Sequence, residues 1–571
     1  MSMVLVPVCA LSWCLLLHST DSYYVIYLLT AAASLACCGC NRHRAAPCLK
    51  SGSRGWICLF ALGFSGMVYL ANAALFDPAS GSIRPCSPKM LLLALALLCT
   101  GFVVFREILL YLTAAAGSSH VRFHDSVSGA RVGLIAWGCL FCVYCLVFYT
   151  CYYPGVLTYD SVNQLSQILG LQPYNNHHPF YDTQLVALIL RLGLALFHDL
   201  NRAVGLYSQI SILAMTGCFA YCIETLFAST GKKGLTVGLF LFYLLMPYHI
   251  FYSFAMWKDV FFAASVTGFT VSFFRTFYAI GSHPRQNRAS MLLFAGLMCL
   301  LRSNGLFAFA VCLVVFFFFF REKEKKLLWS LCAVAAAAYL LTGPVLKMRN
   351  IPQPRITESL SIPLQQVAQV IVDECPLTEE QTALLEQCVD LDAVKEAFLP
   401  YISDPVKALV DSRPFAGQEG AYIKLYLQLG LRYPLKYIQA WVNQTRGYWN
   451  GGYAYWRFPA PYENGLGISI SAPVESARAL FSGYAQLFES SPLLQPLVSI
   501  GLFVWLMILC CFAALQRRDK VGVFLTVPYL AVILTLLIAT PVFSEFRYSY
   551  CIFCGGPFVF AVTAHRLWSK A

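Results

Sequence analysis

The sequence predicts an all-α, polytopic integral membrane protein with a mostly helical outer domain inserted before its last three spans. Composition is the first indication: 58% of the 571 residues are hydrophobic and only 12% are charged. With a mean hydropathy of +0.64, the chain has more apolar surface than a soluble core hides. Periodicity is the second. Apolar runs of about 20 residues, the length that crosses some 30 Å of hydrocarbon, recur along most of the chain. Because lipid admits only helices and closed barrels, and these runs are continuous, they read as helices. Charge placement is the third, because the Lys and Arg residues cluster between the runs.

In chain order, the opening "MSMVLVPVCALSWCLLLHS" lacks the basic start of a signal peptide and leads directly into a second apolar run, so it reads as a retained span. Spans are then expected near 3–18, 22–38, 56–75, 89–112, 131–151, 204–228, 235–254, 260–279, 289–301, 305–320, 327–345, 494–515, 521–540 and 551–566, roughly fourteen in all. The basic clusters at 41–54, 105–131, 231–234, 275–288, 321–326 and 516–520 are expected on the cytoplasmic side, with both termini. They account for the excess of 40 Lys and Arg over 28 Asp and Glu without a nucleic-acid partner. Most of the 24 Cys lie inside apolar runs as small hydrophobes, and no CxxC pair suggests zinc.

Four regions follow: additional spans over 1–130, a transmembrane core over 131–345 with an outer loop at 152–203, an extracytoplasmic domain over 346–492, and closing spans over 493–571. The third region mixes polar and apolar residues and ends in the aromatic run "YWNGGYAYWRFPAPYENG". Its cysteines Cys375 and Cys388 admit a disulfide on an oxidising face, and "NQT" at Asn443 is a sequon.

On this topology the polar constellations share the outer face. "TYDSVNQLSQILG" places Val162, Leu165, Ile168 and Leu169 on one side of an interfacial helix. Asp160 or Ser161 then either caps that helix or borders a membrane-embedded interior, where carboxylates are costly and usually functional. "NNHHPF" brings His177 and His178 onto the same loop, where a histidine before proline also serves simply to fix a turn. Lys258 and Asp259 in "MWKDV" read either as a snorkelling pair or as a cation and a second acid beside the first. Arg302 sits at the tip of a helical hairpin in "LRSNG", and Glu545 and Arg547 lie in "PVFSEFRYSY". Together, acids and cations on one face of a helical bundle describe a site for an anionic, lipid-linked substrate. The lipid tail stays in the bilayer, the phosphate lies at the interface beside Lys or Arg, and a carboxylate accepts the acceptor's proton. Asp160 is the expected base. The aromatic run offers either flat faces for sugar or an interfacial belt.

These stretches resemble the polytopic GT-C glycosyltransferases, which use polyprenyl-phosphate sugars. "TYDSVNQLSQ" and "HHPFYDTQLVALIL" are similar to their first outer loop, with Asp160 at the hallmark acidic position and 184–199 as a second juxtamembrane helix. "WKDV" is similar to their second acidic motif and maps to Asp259. The ordered set "YPG...DS..Q", which includes Gln164, with "NHHP", "WKD", "R.NG", "ESLSIPLQQ" and "E.RY", resembles a bacterial family of largely uncharacterised GT-C-like membrane proteins over about 131–566. The resemblance implies an inverting transfer from a polyprenyl-phosphate-linked sugar to a cell-envelope glycan, lipid or protein. Asp160 and Asp259 would be catalytic, and Lys258, Arg302, Arg547, Glu545, His177, His178 and Gln164 would bind substrate. Some members use a divalent metal and others do not, so metal dependence stays open, and no other cofactor is implied. The competing reading is a transporter or flippase of a lipid-linked or anionic precursor. It would suit the charges, but the sequence offers no inverted repeat. A scaffold that has lost catalysis is a third reading.

Overall fold

The computed structural model describes residues 2–18, 24–43, 51–72, 87–117, 129–281, 284–456 and 465–568. Among them the chain is helical throughout, with β pairing confined to isolated bridges. Nine of the described helices are long and apolar enough to cross a membrane, or ten if one bent pair counts as a single span. This is the architecture of a multi-pass membrane protein whose partner is the lipid bilayer.

The count differs from the fourteen expected because several apolar runs form shorter helices. Leu5–Leu17, Val25–Cys40, Gly305–Phe320 and Ile500–Gln516 are apolar but fall below 18 residues. Lys233–Leu245 and Pro247–Ser253 meet at a 60° bend. Pro247 has no N–H to donate and forces Met246 out of helical geometry, to ψ 115. In the other direction, Phe180–Phe197 was expected as a juxtamembrane helix over 184–199, yet it forms one 18-residue helix that meets the spanning criterion.

The most deeply buried helix is Lys258–Phe277, whose residues are buried almost without interruption from Asp259 to Phe274. The main core gathers around it, with Phe219, Tyr243, Phe251, Phe269, Tyr529 and Phe553. The first four helices build a second core from Trp13, Tyr27, Phe64 and Phe105, which closes on Trp505 and Phe512 of the Ile500–Gln516 helix.

The 346–492 stretch divides in two. Ala368, Leu385, Val394, Val406 and Leu429 form a small core of their own. The Pro434–Trp449 helix instead docks on the bundle: Trp441 Nε1 donates to the Leu537 carbonyl at 2.9 Å, and Trp505 Nε1 donates to that of Trp449 at 2.9 Å. Three expectations change accordingly. Cys375 and Cys388 are free, and the Cys388 thiol donates to Tyr422 Oη at 2.9 Å. Asn443 is 0% exposed, which closes the sequon to an oligosaccharide. Tyr448, Trp449 and Trp456 are buried in the packing and offer no open face to a sugar. Tyr453 and Tyr455 are half-buried, and 457–464 lie outside the described residues.

Candidate functional site

The site is built on two helix N-termini that a short backbone bridge holds side by side. Chain 153–158 runs parallel to 254–257 and pairs at Val156 and Ala255. Val156 N–H donates to the Phe254 carbonyl at 3.1 Å, and Met256 N–H donates to that of Val156 at 3.1 Å. Gly155 allows this approach. Its φ is +131, and a Cβ there would collide with Ser208 Oγ and crowd the Phe254 carbonyl oxygen. Side chains complete the lock: Ser161 Oγ donates to the Met256 carbonyl at 2.6 Å, and Trp257 Nε1 donates to Thr158 Oγ1 at 2.8 Å. The Tyr159–Ile168 and Lys258–Phe277 helices therefore start together, with Asp160 in the first turn of one and Asp259 in the first turn of the other. Both carboxylates lie where the helix dipole favours negative charge.

Capping does not occupy Asp160. Thr158 is the N-cap, and Ser161, three residues on, closes the first turn, its Oγ accepting the Thr158 N–H at 2.9 Å. Asp160 Oδ2 instead accepts a hydrogen bond from Arg547 Nη1 at 2.8 Å and lies 3.5 Å from Lys258 Nζ. Arg547 comes from the short Phe546–Ser549 turn, and its Nε is 3.6 Å from Glu545 Oε1. Burial works to raise the Asp160 pKa, but the Lys258 and Arg547 charges outweigh it and hold the carboxyl well below the usual range. For Glu545 the balance is reversed: burial pushes its carboxyl up against the opposing pull of Arg547.

Lys258 also contacts His178, with Nζ 3.1 Å from Nδ1. An ammonium only donates, so Nδ1 accepts and the imidazole is neutral with its proton on Nε2. Burial and the Lys258 charge push the His178 pKa down to about 3, consistent with that tautomer. Nε2 is buried without a hydrogen-bond partner.

Lys258 and Asp259 do not pair with each other, contrary to the snorkelling alternative. Asp259 Oδ1 lies 2.7 Å from Arg302 Nη1, although neither of its oxygens receives an aligned hydrogen bond. Arg302 Nη1 also donates to the Tyr548 carbonyl at 3.0 Å. Gly305 lets the 301–304 turn pack closely, since a Cβ there would collide with the Met298 carbonyl oxygen. The Tyr548 ring lies between two guanidinium groups, its centroid 4.8 Å from Arg302 Cζ and 5.1 Å from Arg547 Cζ.

Exposure divides the cluster. The side chains of Asp160, Lys258 and Arg547 are 20%, 17% and 19% exposed, while Arg302 and Asp259 are 9% and 1% exposed. Asp259, expected as a second catalytic acid, is thus sealed in a buried ion pair. Gln164, expected against substrate, is buried and joins two helices, its Nε2 donating to Asp182 Oδ2 at 2.8 Å and to Thr183 Oγ1 at 3.1 Å. His177 is exposed, with its ring set edge-on against that of His178 at 4.9 Å. The other expected residues come together at one end of the bundle.

Three further participants stand within the quoted motifs, although sequence reasoning assigned them no role of their own. Asp182 is buried, with Oδ1 unpartnered; its signal was a carboxylate in the first turn of an apolar helix. Trp257, whose ring lies 5.7 Å from Arg547 Cζ, was next to a residue already singled out. Tyr548 is the last residue of the "E.RY" motif, where only the charged residues drew a role. Among the described residues no three His, Cys, Asp or Glu side chains converge as a metal cradle.

Residues 172–570 match DUF6020, a family of unknown function. The chain belongs to this family. The DUF6020 match contains His178, Asp182, Lys258, Asp259, Arg302, Glu545 and Arg547, while Asp160 and the first four helices precede it. No curated protein and no solved structure matches the chain.

Proposed function

We propose that this protein is a membrane glycosyltransferase of GT-C type, transferring a sugar from a polyprenyl-phosphate donor to a cell-envelope acceptor at the extracytoplasmic face. The observation that carries the reading is the partly exposed Asp160 carboxylate, held between Arg547 and Lys258 at the mouth of an apolar bundle. An acid that is ionised at rest and flanked by two cations suits a reaction that binds one negative charge and removes one proton.

The donor phosphate competes with Asp160 for Lys258 and Arg547. As the cations turn to the phosphate, the Asp160 carboxylate loses the charges that depress its basicity and becomes an effective proton acceptor. The acceptor oxygen attacks the anomeric carbon while its proton passes to Asp160. The bond from that carbon to the phosphate oxygen breaks, and its electron pair leaves on the phosphate, where Lys258 and Arg547 stabilise it. Attack opposite the departing phosphate inverts the anomeric centre. His178 positions Lys258. Asp259 and Arg302 are positioning residues as well, fixing the Lys258–Phe277 helix start and the Tyr548 ring from below.

The test is release of free polyprenyl phosphate from a panel of polyprenyl-phosphate sugars, using protein in lipid with cell-envelope extract as acceptor. Release by wild type and none by Asp160→Asn is the expected result. Movement of the intact donor across the bilayer without release would replace this reading with a flippase.

A further inference from the structure

The helical region over 356–426 encloses a cavity of ≈ 430 Å³, a volume in the range of small-molecule sites. Its walls are apolar side chains such as Leu364, Val367, Val394 and Leu425. Its polar groups are already committed: Tyr422 Oη donates to the Leu384 carbonyl at 3.3 Å and accepts from Cys388, while Glu419 Oε1 accepts the Gly417 N–H at 3.1 Å. Water held there would lack the two to four partners that ordered water requires. A void of this size is also costly to leave empty, because the penalty rises with volume.

The cavity opens to the surface. Ile356 and Ile423 line it and are 51% and 59% exposed. From Ile423 the apolar surface continues along the Glu419–Arg432 helix through Leu427 and Leu431 at four-residue spacing, both exposed. Charge near the opening is balanced rather than cationic: Arg413 pairs with Asp411 at 2.7 Å, and the Glu419 carboxylate lines the cavity. An apolar interior that opens to the surface and an apolar runway leading from it match the hydrocarbon tail of an amphiphile.

We propose that the 356–426 region is a binding site for the hydrocarbon chain of a membrane amphiphile, with the chain inserted into the cavity beside Val367 and Leu425. The site is separate from the Asp160 cluster and stands whether or not the chain transfers sugars. Two sources supply such a tail: acyl lipids and isoprenoid phosphates.

The experiment uses the full chain in phosphatidylcholine nanodiscs. One arm carries phosphatidylglycerol with a diazirine on an acyl chain, and the other carries polyprenyl phosphate with a diazirine on its chain. After irradiation, adducts are mapped by peptide mass spectrometry. Adducts within 356–426 from either probe are expected, and the probe that gives them identifies the source. Val367→Trp fills the cavity and should cut those adducts about tenfold, the ratio expected for losing roughly 1.4 kcal/mol of contact. Ala368→Leu, a smaller intrusion at a residue that also lines the cavity, should reduce them less and serves if the tryptophan variant does not fold. The proposal is overturned if neither probe labels 356–426, or if labelling there is unchanged in a folded cavity-filling variant.

Discussion

The Asp160 and Asp259 carboxylates use the same chemistry at two depths. Each lies in the first turn of a helix and each faces an arginine, at 2.8 Å for Arg547 and 2.7 Å for Arg302. Asp160 and its cations remain partly open, whereas Asp259 is sealed. Ion pairs open to solvent contribute little to stability and exchange partners easily, whereas removing one member of a buried pair leaves an uncompensated charge. Depth therefore separates the groups that can meet a substrate from those that hold the frame, although the sequence pattern made the two acids look equivalent.

The largest effect expected from this contrast is on turnover. Asp160→Asn should lower it by roughly 10²- to 10⁴-fold, the contribution of a positioned general base, beyond any loss of folded protein read from thermal unfolding of the same samples. Next is stability: Arg302→Ala should cost about 3–5 kcal/mol in reversible unfolding in detergent. The double variant Asp259→Leu with Arg302→Leu should recover much of that loss, since no charge is then left unpaired. Loss of one cation at the mouth comes third. Lys258→Ala should weaken binding of polyprenyl phosphate by roughly tenfold, as expected when one charge-assisted hydrogen bond is removed; calorimetry in nanodiscs measures it.

The remaining effect is on pH dependence. The folded pKa of His178, about 3, is below its ordinary 6.5, so the folded state binds fewer protons than the unfolded chain. Stability is fully present above pH 6.5 and is lost as the pH falls from there toward 3. His178→Gln, whose side-chain oxygen can accept from Lys258, should flatten that part of the stability profile. The acid loss due to Asp160, which sets in as the pH falls through the ordinary carboxylate range and continues below it, should remain.

Helix content and most of the site were legible because both depend on residue type. Apolar runs became helices, and Asp160, His178, Lys258, Arg302, Glu545 and Arg547 converge as their common sidedness suggested. Depth was not legible. Nothing in "WKDV" distinguishes an exposed aspartate from one beneath a neighbouring helix, because burial is set by packing against residues far away in the chain, here Arg302 and Tyr548. The bridge between Val156 and Ala255 was equally hidden, since backbone pairing between two loops leaves little trace beyond a glycine at 155. The aromatic run misled for the same reason: Tyr448 and Trp449 have the composition of an interfacial belt, yet they are packed into the fold.

The most direct measurement compares turnover per folded molecule for Asp160→Asn and Asp259→Asn, with the folded fraction fixed by thermal unfolding of the same samples. Folded Asp160→Asn should release no polyprenyl phosphate, while Asp259→Asn should melt below wild type and keep its release once normalised to folded protein. Normal release by folded Asp160→Asn, or loss of release without loss of stability in Asp259→Asn, would contradict this division of roles.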